Sequence, residues 1–163
     1  IHGHPMISEF SSLEGFTFAT MGPLYSALAT LPYLESVTLR IREPETEDQR
    51  VAINAGSLTE LLRAPALRFV KFDGFCFTNA LCHAMATALE EGSSIIDITF
   101  DSACSFPDGG RAIIANALKK NVTITDVKIL GDSDELLCHI LALLPLRNLV
   151  SYTHLTLPKI YSV

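Results

Sequence analysis

Three stretches of the sequence share one pattern and decide the fold: residues 67–72 read LRFVKF, residues 95–100 read IIDITF and residues 124–129 read ITDVKI. Each has apolar side chains at its first, fourth and sixth positions, and their first residues, Leu67, Ile95 and Ile124, are separated by a nearly constant step. Alternate residues of a β-strand point to the same face of a sheet, so the fourth and sixth positions share one face. We therefore predict three strands, each with one apolar side.

Helix-like segments follow the first two stretches. Between Asn79 and Glu91 apolar residues recur at three- and four-residue steps, and the phrase Ala-x-Ala-Leu appears at 86–89 and again at 115–118. Gly92 and Asn121 stand at equivalent positions after these segments, where a helix often ends on a left-handed residue. One strand-and-helix unit cannot bury its apolar side alone. Neighbouring units are therefore expected to stack, with their strands in one parallel sheet.

The repeated unit resembles the leucine-rich repeats of the ribonuclease-inhibitor type, because it combines a step of about 28 residues with the Ala-x-Ala-Leu helix ending. The resemblance covers residues 13–149. It implies an α/β solenoid shaped like a horseshoe, with a parallel β-sheet on the concave face and helices on the convex face. The family's usual Asn or Cys after each strand is missing; Cys76 and Cys104 lie one residue later than that position, which predicts irregular turns.

Two further strands are predicted toward the N-terminus. Residues 13–18 (Leu13, Phe16 and Phe18) and residues 34–39 show the same apolar spacing, and the step between them is shorter than the later ones. A short helix with Gly22 and Pro23 near its start is expected between them.

The next interval is longer, because the charged and proline-containing residues 42–50 are inserted before the stretch at 67–72. We interpret this insertion as a loop at the rim, either solvated or in contact with a basic partner. A helix over residues 57–64 follows, with Ser57 as its N-cap and Glu60 completing a capping box. Another helix is predicted over residues 133–144.

The sequence divides into a repeat domain and a tail. Residues 1–149 are expected to form about five repeats, and because the chain begins at Ile1 we expect it to be a fragment. Residues 150–163 begin VSYTHLTLP, which resembles a translated adaptor from sequencing libraries. We expect this tail to be non-biological. The alternative is a further edge strand, since residues 152–157 also fit the apolar spacing.

Composition narrows the class of function. The formal net charge is −6 and the acidic residues are not gathered into one long run, which argues against nucleic acid as a partner. No apolar run reaches the roughly 18 residues of a membrane span. Four cysteines without CxxC spacing are expected to be buried free thiols in the cytoplasm.

No cofactor, metal or small-molecule substrate is predicted. The sequence Leu-Cys-His occurs at 81–83 and at 137–139, but the two helices belong to units two apart, so the pairs would stand roughly 16–20 Å from each other. We attribute the duplication to repeat ancestry. Asn121 begins the glycosylation pattern Asn-Val-Thr, which we discount because Asn121 is assigned as a helix terminator.

The predicted binding surface is the concave face. Its candidate partner-binding residues alternate with or follow the buried strand positions: Thr38, Arg40, Phe69, Lys71, Asp73, Asp97, Thr99, Asp101, Asp126 and Lys128. Stacking in register places Asp97 beside Asp126 and Asp73 beside Asp101, and such like-charge pairs destabilise a sheet mildly. The face is either simply solvated or used to attract a basic protein.

Three functions follow as hypotheses. The first is a non-enzymatic protein-interaction module. The second is part of an enzyme regulator, because the ribonuclease inhibitor and the GTPase-activating protein of nuclear transport share this repeat type. The third is an enzyme with Cys82 or Cys104 as nucleophile, which would need a lowered thiol pKa and a nearby base. The sequence contains no catalytic motif, so we expect no catalytic residues.

Overall fold

The computed structural model of the protein describes residues 7–11, 18–40, 55–101 and 103–130. Within these ranges strands and helices alternate along the chain. The strands are β1 (Glu9–Ser11), β2 (Ser36–Leu39), β3 (Phe69–Phe72), β4 (Asp97–Phe100) and β5 (Asp126–Ile129). The helices are α1 (Phe18–Ala29), α2 (Ala55–Leu62), α3 (Asn79–Glu91) and α4 (Gly110–Lys120).

The five strands form one parallel sheet in chain order. Val70 is aligned with Val37 of β2 on one side and with Ile98 of β4 on the other, and Ile98 is aligned with Val127 of β5. The step between aligned positions is nearly constant except from Val37 to Val70, where the insertion predicted from the sequence makes it longer. The prediction that the three deciding stretches occupy adjacent parallel strands in register is therefore confirmed.

Within the described ranges, one face of the sheet is covered by helices and the other is not. Val70 and Phe72 are buried, whereas Phe69 and Lys71, which alternate with them, are not. The buried strand residues join the apolar stripes of the helices in a single core, and each helix packs against the next along the chain. Burial of a large apolar side chain contributes about 1.5–3 kcal/mol, so this core is what holds each unit to its neighbour.

An aromatic cluster fills the core where β3 and β4 end. The rings of Phe72 and Phe100 stack at 5.4 Å, and those of Phe77 and Phe106 stack at 4.7 Å. Phe75 and Phe77, which flank Cys76, lie in this cluster after a bend at Gly74, whose φ is +57°. Cys104 donates from Sγ to the carbonyl of Phe72 at 3.3 Å.

The prediction for the first strand was wrong. β1 ends at Ser11, and Phe10 is aligned with Val37, whereas Phe18 begins α1 instead of ending a strand. Leu13 and Phe16 lie outside the described residues. The apolar spacing did not identify β1 because, counted from Ile7, the fourth position is Phe10 but the sixth is the polar residue Ser12.

The predicted starts of the first two helices were also wrong. α1 is 12 residues long and carries Pro23 in its interior. α2 begins at Ala55, so Ser57 lies within the helix instead of capping it. Ser57 Oγ is 3.2 Å from Ser26 Oγ of α1, and Ser26 donates to Glu60 Oε2 at 2.8 Å. The two residues predicted to form a capping box instead join α2 to α1.

The ends of α3 and α4 differ, although the sequence predicted one solution for both. The bounds of α3 are as predicted, and Gly92 adopts the left-handed conformation with φ +111°. Asn121 does not: its φ is −69° and its ψ is 139°, which is extended backbone.

The side chain of Asn121 is buried and forms several hydrogen bonds. Its Nδ2 donates to the carbonyl of Leu89 in α3 at 2.8 Å, and its Oδ1 accepts from the backbone N–H groups of Thr123 and Ile124, both at 2.8 Å. An Asn amide can donate and accept at once, so it serves both a terminal carbonyl of the preceding helix and the turn before β5. The buried amide also makes the Asn-Val-Thr pattern a poor glycosylation acceptor.

Several predicted features lie outside the described residues: the loop at 42–50, the helix at 133–144, the second Cys-His pair at 138–139 and the tail at 150–163. Among the helices that the structure does describe, none has the length and apolar character needed to cross a membrane.

Candidate protein-binding face

The uncovered side of the sheet is the candidate site, and we call it the open face. It carries every second residue of each strand and the residue just after: Glu9, Ser11, Ser36, Thr38, Arg40, Phe69, Lys71, Asp73, Asp97, Thr99, Asp101, Asp126, Lys128 and Leu130. All ten candidate residues lie on it. Backbone N–H groups of Asp73, Asp101 and Leu130 donate to the preceding strand at 2.8–2.9 Å, which extends the register beyond the strand ends.

Charges on β4 and β5 are paired with each other. Asp97 is aligned with Asp126, as predicted, and Lys128 forms ion pairs with both, at 3.1 Å from Asp126 Oδ2. The hydrogen bond from Lys128 to Asp97 raises the pKa of that ammonium, and the hydrogen bond to Asp126 adds to the effect. Lys128 therefore offsets the repulsion that the sequence predicted between the two carboxylates.

The carboxylates of the second predicted pair also have partners within the protein. Asp73 forms an ion pair with Arg40 from the end of β2. Asp101 Oδ1 accepts from the backbone N–H of Ala103 at 2.8 Å, so this carboxylate stabilises the turn after β4. The acids of these neighbouring strands are thus engaged within the protein itself.

The middle strand presents a different surface. Phe69 on β3 is 44% exposed although it lies between Ser36 and Asp97 on the flanking strands. Lys71 is aligned with Thr38 and Thr99, and within the described part of the chain its ammonium has no ion-pair partner. A large apolar ring and a cation available for a new ion pair therefore stand together at the centre of the sheet.

Chemistry at the cysteines was the other site considered from the sequence. Cys82 is buried as predicted, whereas Cys76 and Cys104 are only partly buried. Burial raises the pKa of the Cys82 thiol to about 12. Burial also raises the pKa of Cys104, which outweighs the lowering by nearby backbone N–H groups. Both shifts reduce the thiolate fraction at neutral pH, the opposite of what a nucleophile needs.

No cluster of three metal-binding side chains occurs among the described residues.

Sequence reasoning missed two features of the open face. Glu9 and Ser11 were not assigned to it, because the first strand was placed too late in the chain. The sequence does indicate the correct strand, because the interval from Ile7 to Leu34 is close to the intervals between the first residues of the later strand patterns. The pairing of Lys128 with two carboxylates was the second omission, because a side chain's choice among several partners depends on its three-dimensional surroundings.

No protein-family model matches the chain, and no curated protein matches it.

Proposed function

We propose that this chain is a non-enzymatic protein-interaction module built from leucine-rich repeats of the ribonuclease-inhibitor type, and that it binds another protein on the open face. In this reading the open face is the concave side of a horseshoe and the helices line the convex side. The repeat assignment is supported by the alternating strands and helices, by the in-register parallel sheet and by the nearly regular step between aligned positions.

The observation that carries the binding function is the exposure of Phe69 in the middle of the sheet. Phenylalanine in the interior of a sheet is ordinarily covered, and binding hot spots tend to be aromatic and central. Two strands lie on each side of β3, so a partner covering Phe69 would also contact the polar residues that flank it. These polar residues would form the rim of the interface.

Binding to the open face can be tested without knowing the natural partner. Random-peptide phage are selected on the whole chain, and each selected peptide is then measured against two variants. Thr38→Arg adds bulk to the open face, and Thr87→Arg makes the same change at an exposed position of α3. We expect Thr38→Arg to weaken most selected peptides and Thr87→Arg to leave them unchanged. Peptides that bind the helix layer and respond only to Thr87→Arg would contradict the proposal.

The hypothesis that the chain belongs to an enzyme regulator stays a prediction. An inhibitor or a GTPase-activating segment would use the same face, and the residues on it do not distinguish an enzyme from another protein partner.

A further inference from the structure

We propose that the partner presents a carboxylate to Lys71 beside a large apolar side chain that covers Phe69. This inference rests on the proposed function and specifies the chemistry of the partner. It differs from the alternative drawn from the sequence, in which the adjacent carboxylates Asp97 and Asp126, and Asp73 and Asp101, attract a basic protein.

Phe69 and Lys71 lie close together on the open face. Phe69 and Lys71 are separated by one residue on the same side of β3, so their Cα atoms are about 7 Å apart. A partner surface that removes water from the phenylalanine ring must also remove water from at least part of the neighbouring ammonium. Burying an unpaired charge is strongly unfavourable, so the partner has to supply a counter-charge or lose much of what the ring contributes.

Most charged side chains of the open face already have partners within the protein. By number, the described open face has more carboxylates than cations. Asp97 and Asp126 already bind Lys128, and Asp73 already binds Arg40. Asp101 accepts a backbone hydrogen bond. Among the carboxylates of the described open face, Glu9 forms no ion pair with a described residue, but it lies on β1, two strands away from Lys71. At the centre of the face a basic ligand would have to compete with the internal partners, whereas a carboxylate at Lys71 would displace only water.

Lys71 lies between two threonines of the open face. Thr38 and Thr99 flank Lys71 on the adjacent strands, at about 4.8 Å per strand. Threonine hydroxyls can donate to a carboxylate, although Thr99 also contacts Asp97 Oδ1 at 3.4 Å. A carboxylate above Lys71 could therefore also accept from Thr38. In an extended partner segment, an apolar residue and an acidic residue two positions apart would match the spacing of Phe69 and Lys71.

The test compares the chemistry of peptides selected from the random phage library. We expect selection on the whole chain to favour a large apolar residue near Asp or Glu. Synthetic versions of the selected peptides should lose about tenfold or more in affinity for Lys71→Met and for Phe69→Ala. Lys71→Glu should prefer the same peptides with the acid replaced by Lys or Arg. Lys119→Glu, a charge reversal at an exposed residue of α4, should change none of these affinities.

The outcomes separate this inference from the proposed function. If Thr38→Arg blocks the peptides but they are basic, or if Lys71→Glu does not exchange the charge preference, the carboxylate inference fails while binding to the open face stands. If the peptides ignore Thr38→Arg, both fail. Phe69 and Lys71 are outside the core, so their variants are expected to fold, and circular dichroism would verify this. Recovery of binding by the charge-swapped peptide gives a result that misfolding cannot produce.

Discussion

Two consecutive strand–helix units, residues 67–92 and residues 95–121, share their apolar pattern but use their polar residues differently. In the first unit, β3 presents Phe69 and Lys71 on the open face without an ion pair to any described residue, and α3 ends at a left-handed glycine. In the second, Asp97 of β4 is paired with a cation of the next strand, and α4 ends at Asn121, which binds back to α3.

The difference shows which positions determine the fold and which are free for other roles. Apolar positions are equivalent in both units because every unit must close the core of its neighbour. Polar positions are under no such constraint. In the second unit Asp97 and Asn121 bind neighbouring units. In the first unit Asp73 is paired with Arg40, whereas Lys71 forms no ion pair with a described residue. Single substitutions at these positions test this difference between the two units.

The largest effect is expected at Asn121. Asn121→Ala would leave the carbonyl of Leu89 and the N–H groups of Thr123 and Ile124 without their partner, and each buried unsatisfied group costs about 1–3 kcal/mol. We expect the free energy of unfolding to fall by about 3 kcal/mol, measured by urea denaturation. Asn116→Ala, at an exposed position of α4, is the matched control and should change little. Equal losses in the two variants would rule out the coupling role of Asn121.

The next effect is expected where the two units touch. A Cβ added at Gly110 would lie 2.8 Å from Pro107 Cδ and 2.9 Å from Cys82 Sγ of α3. We expect Gly110→Ala to destabilise the protein by about 2 kcal/mol through overpacking. In a double-mutant cycle, Cys82→Ala should recover part of this loss because it removes one of the two clashes.

Gly109→Ala is the control for this contact. Gly109 has φ +76° and nothing within 4 Å of an added Cβ, so its substitution should be costly through backbone strain alone. Its effect should add to that of Cys82→Ala without coupling. Coupling of the same size at both glycines would mean that the Gly110 contact does not limit helix packing.

A smaller effect is expected at Gly92. Its φ of +111° is unfavourable for residues with a side chain, and an added Cβ would meet nothing within 4 Å. Gly92→Ala should therefore lower the free energy of unfolding by about 1 kcal/mol, all of it from the backbone. Gly92→Asn should lose less, because Asn adopts positive φ more readily. The reverse order in urea denaturation would indicate a steric origin.

The parts of the fold that were predicted correctly are those fixed by apolar periodicity. β2 to β5, their register and the bounds of α3 all follow from which residues must be buried together. β1 was misplaced because Ser12 breaks the apolar spacing in its unit. Asn121 was misassigned because its position matched that of Gly92, and the sequence alone does not tell whether Asn acts through its backbone or through its amide.

The sequence predicted which residues lie on the open face but not how they interact. Side-chain direction follows from the period of a strand, so all ten candidate residues were placed on one face. Their ion pairs were not predicted, because stacking in register places Asp97 beside Asp126 and by itself indicates repulsion between them. Lys128 neutralises both, and this depends on the reach of a long side chain across adjacent strands. The exposure of Phe69 likewise required the structure, since an aromatic residue between two apolar ones could equally have been buried.

The smallest effect separates two lysines of the same row of the open face. Lys128→Met removes two ion pairs of a side chain that is 40% exposed, so we expect a loss of about 0.5 kcal/mol, reduced at high salt. Lys71→Met removes no ion pair within the described residues and should leave the free energy of unfolding unchanged.

The pH dependence gives an independent check on Lys128. Its pKa is raised above the ordinary 10.5 by the hydrogen bond to Asp97, so its contribution is complete below 10.5 and is lost as the pH rises through the folded-state value. The stability difference between wild type and Lys128→Met should therefore shrink in alkaline solution, as measured by urea denaturation at several pH values. A difference that persists there, or an equal loss in Lys71→Met at neutral pH, would mean that the two lysines are not divided between structure and binding.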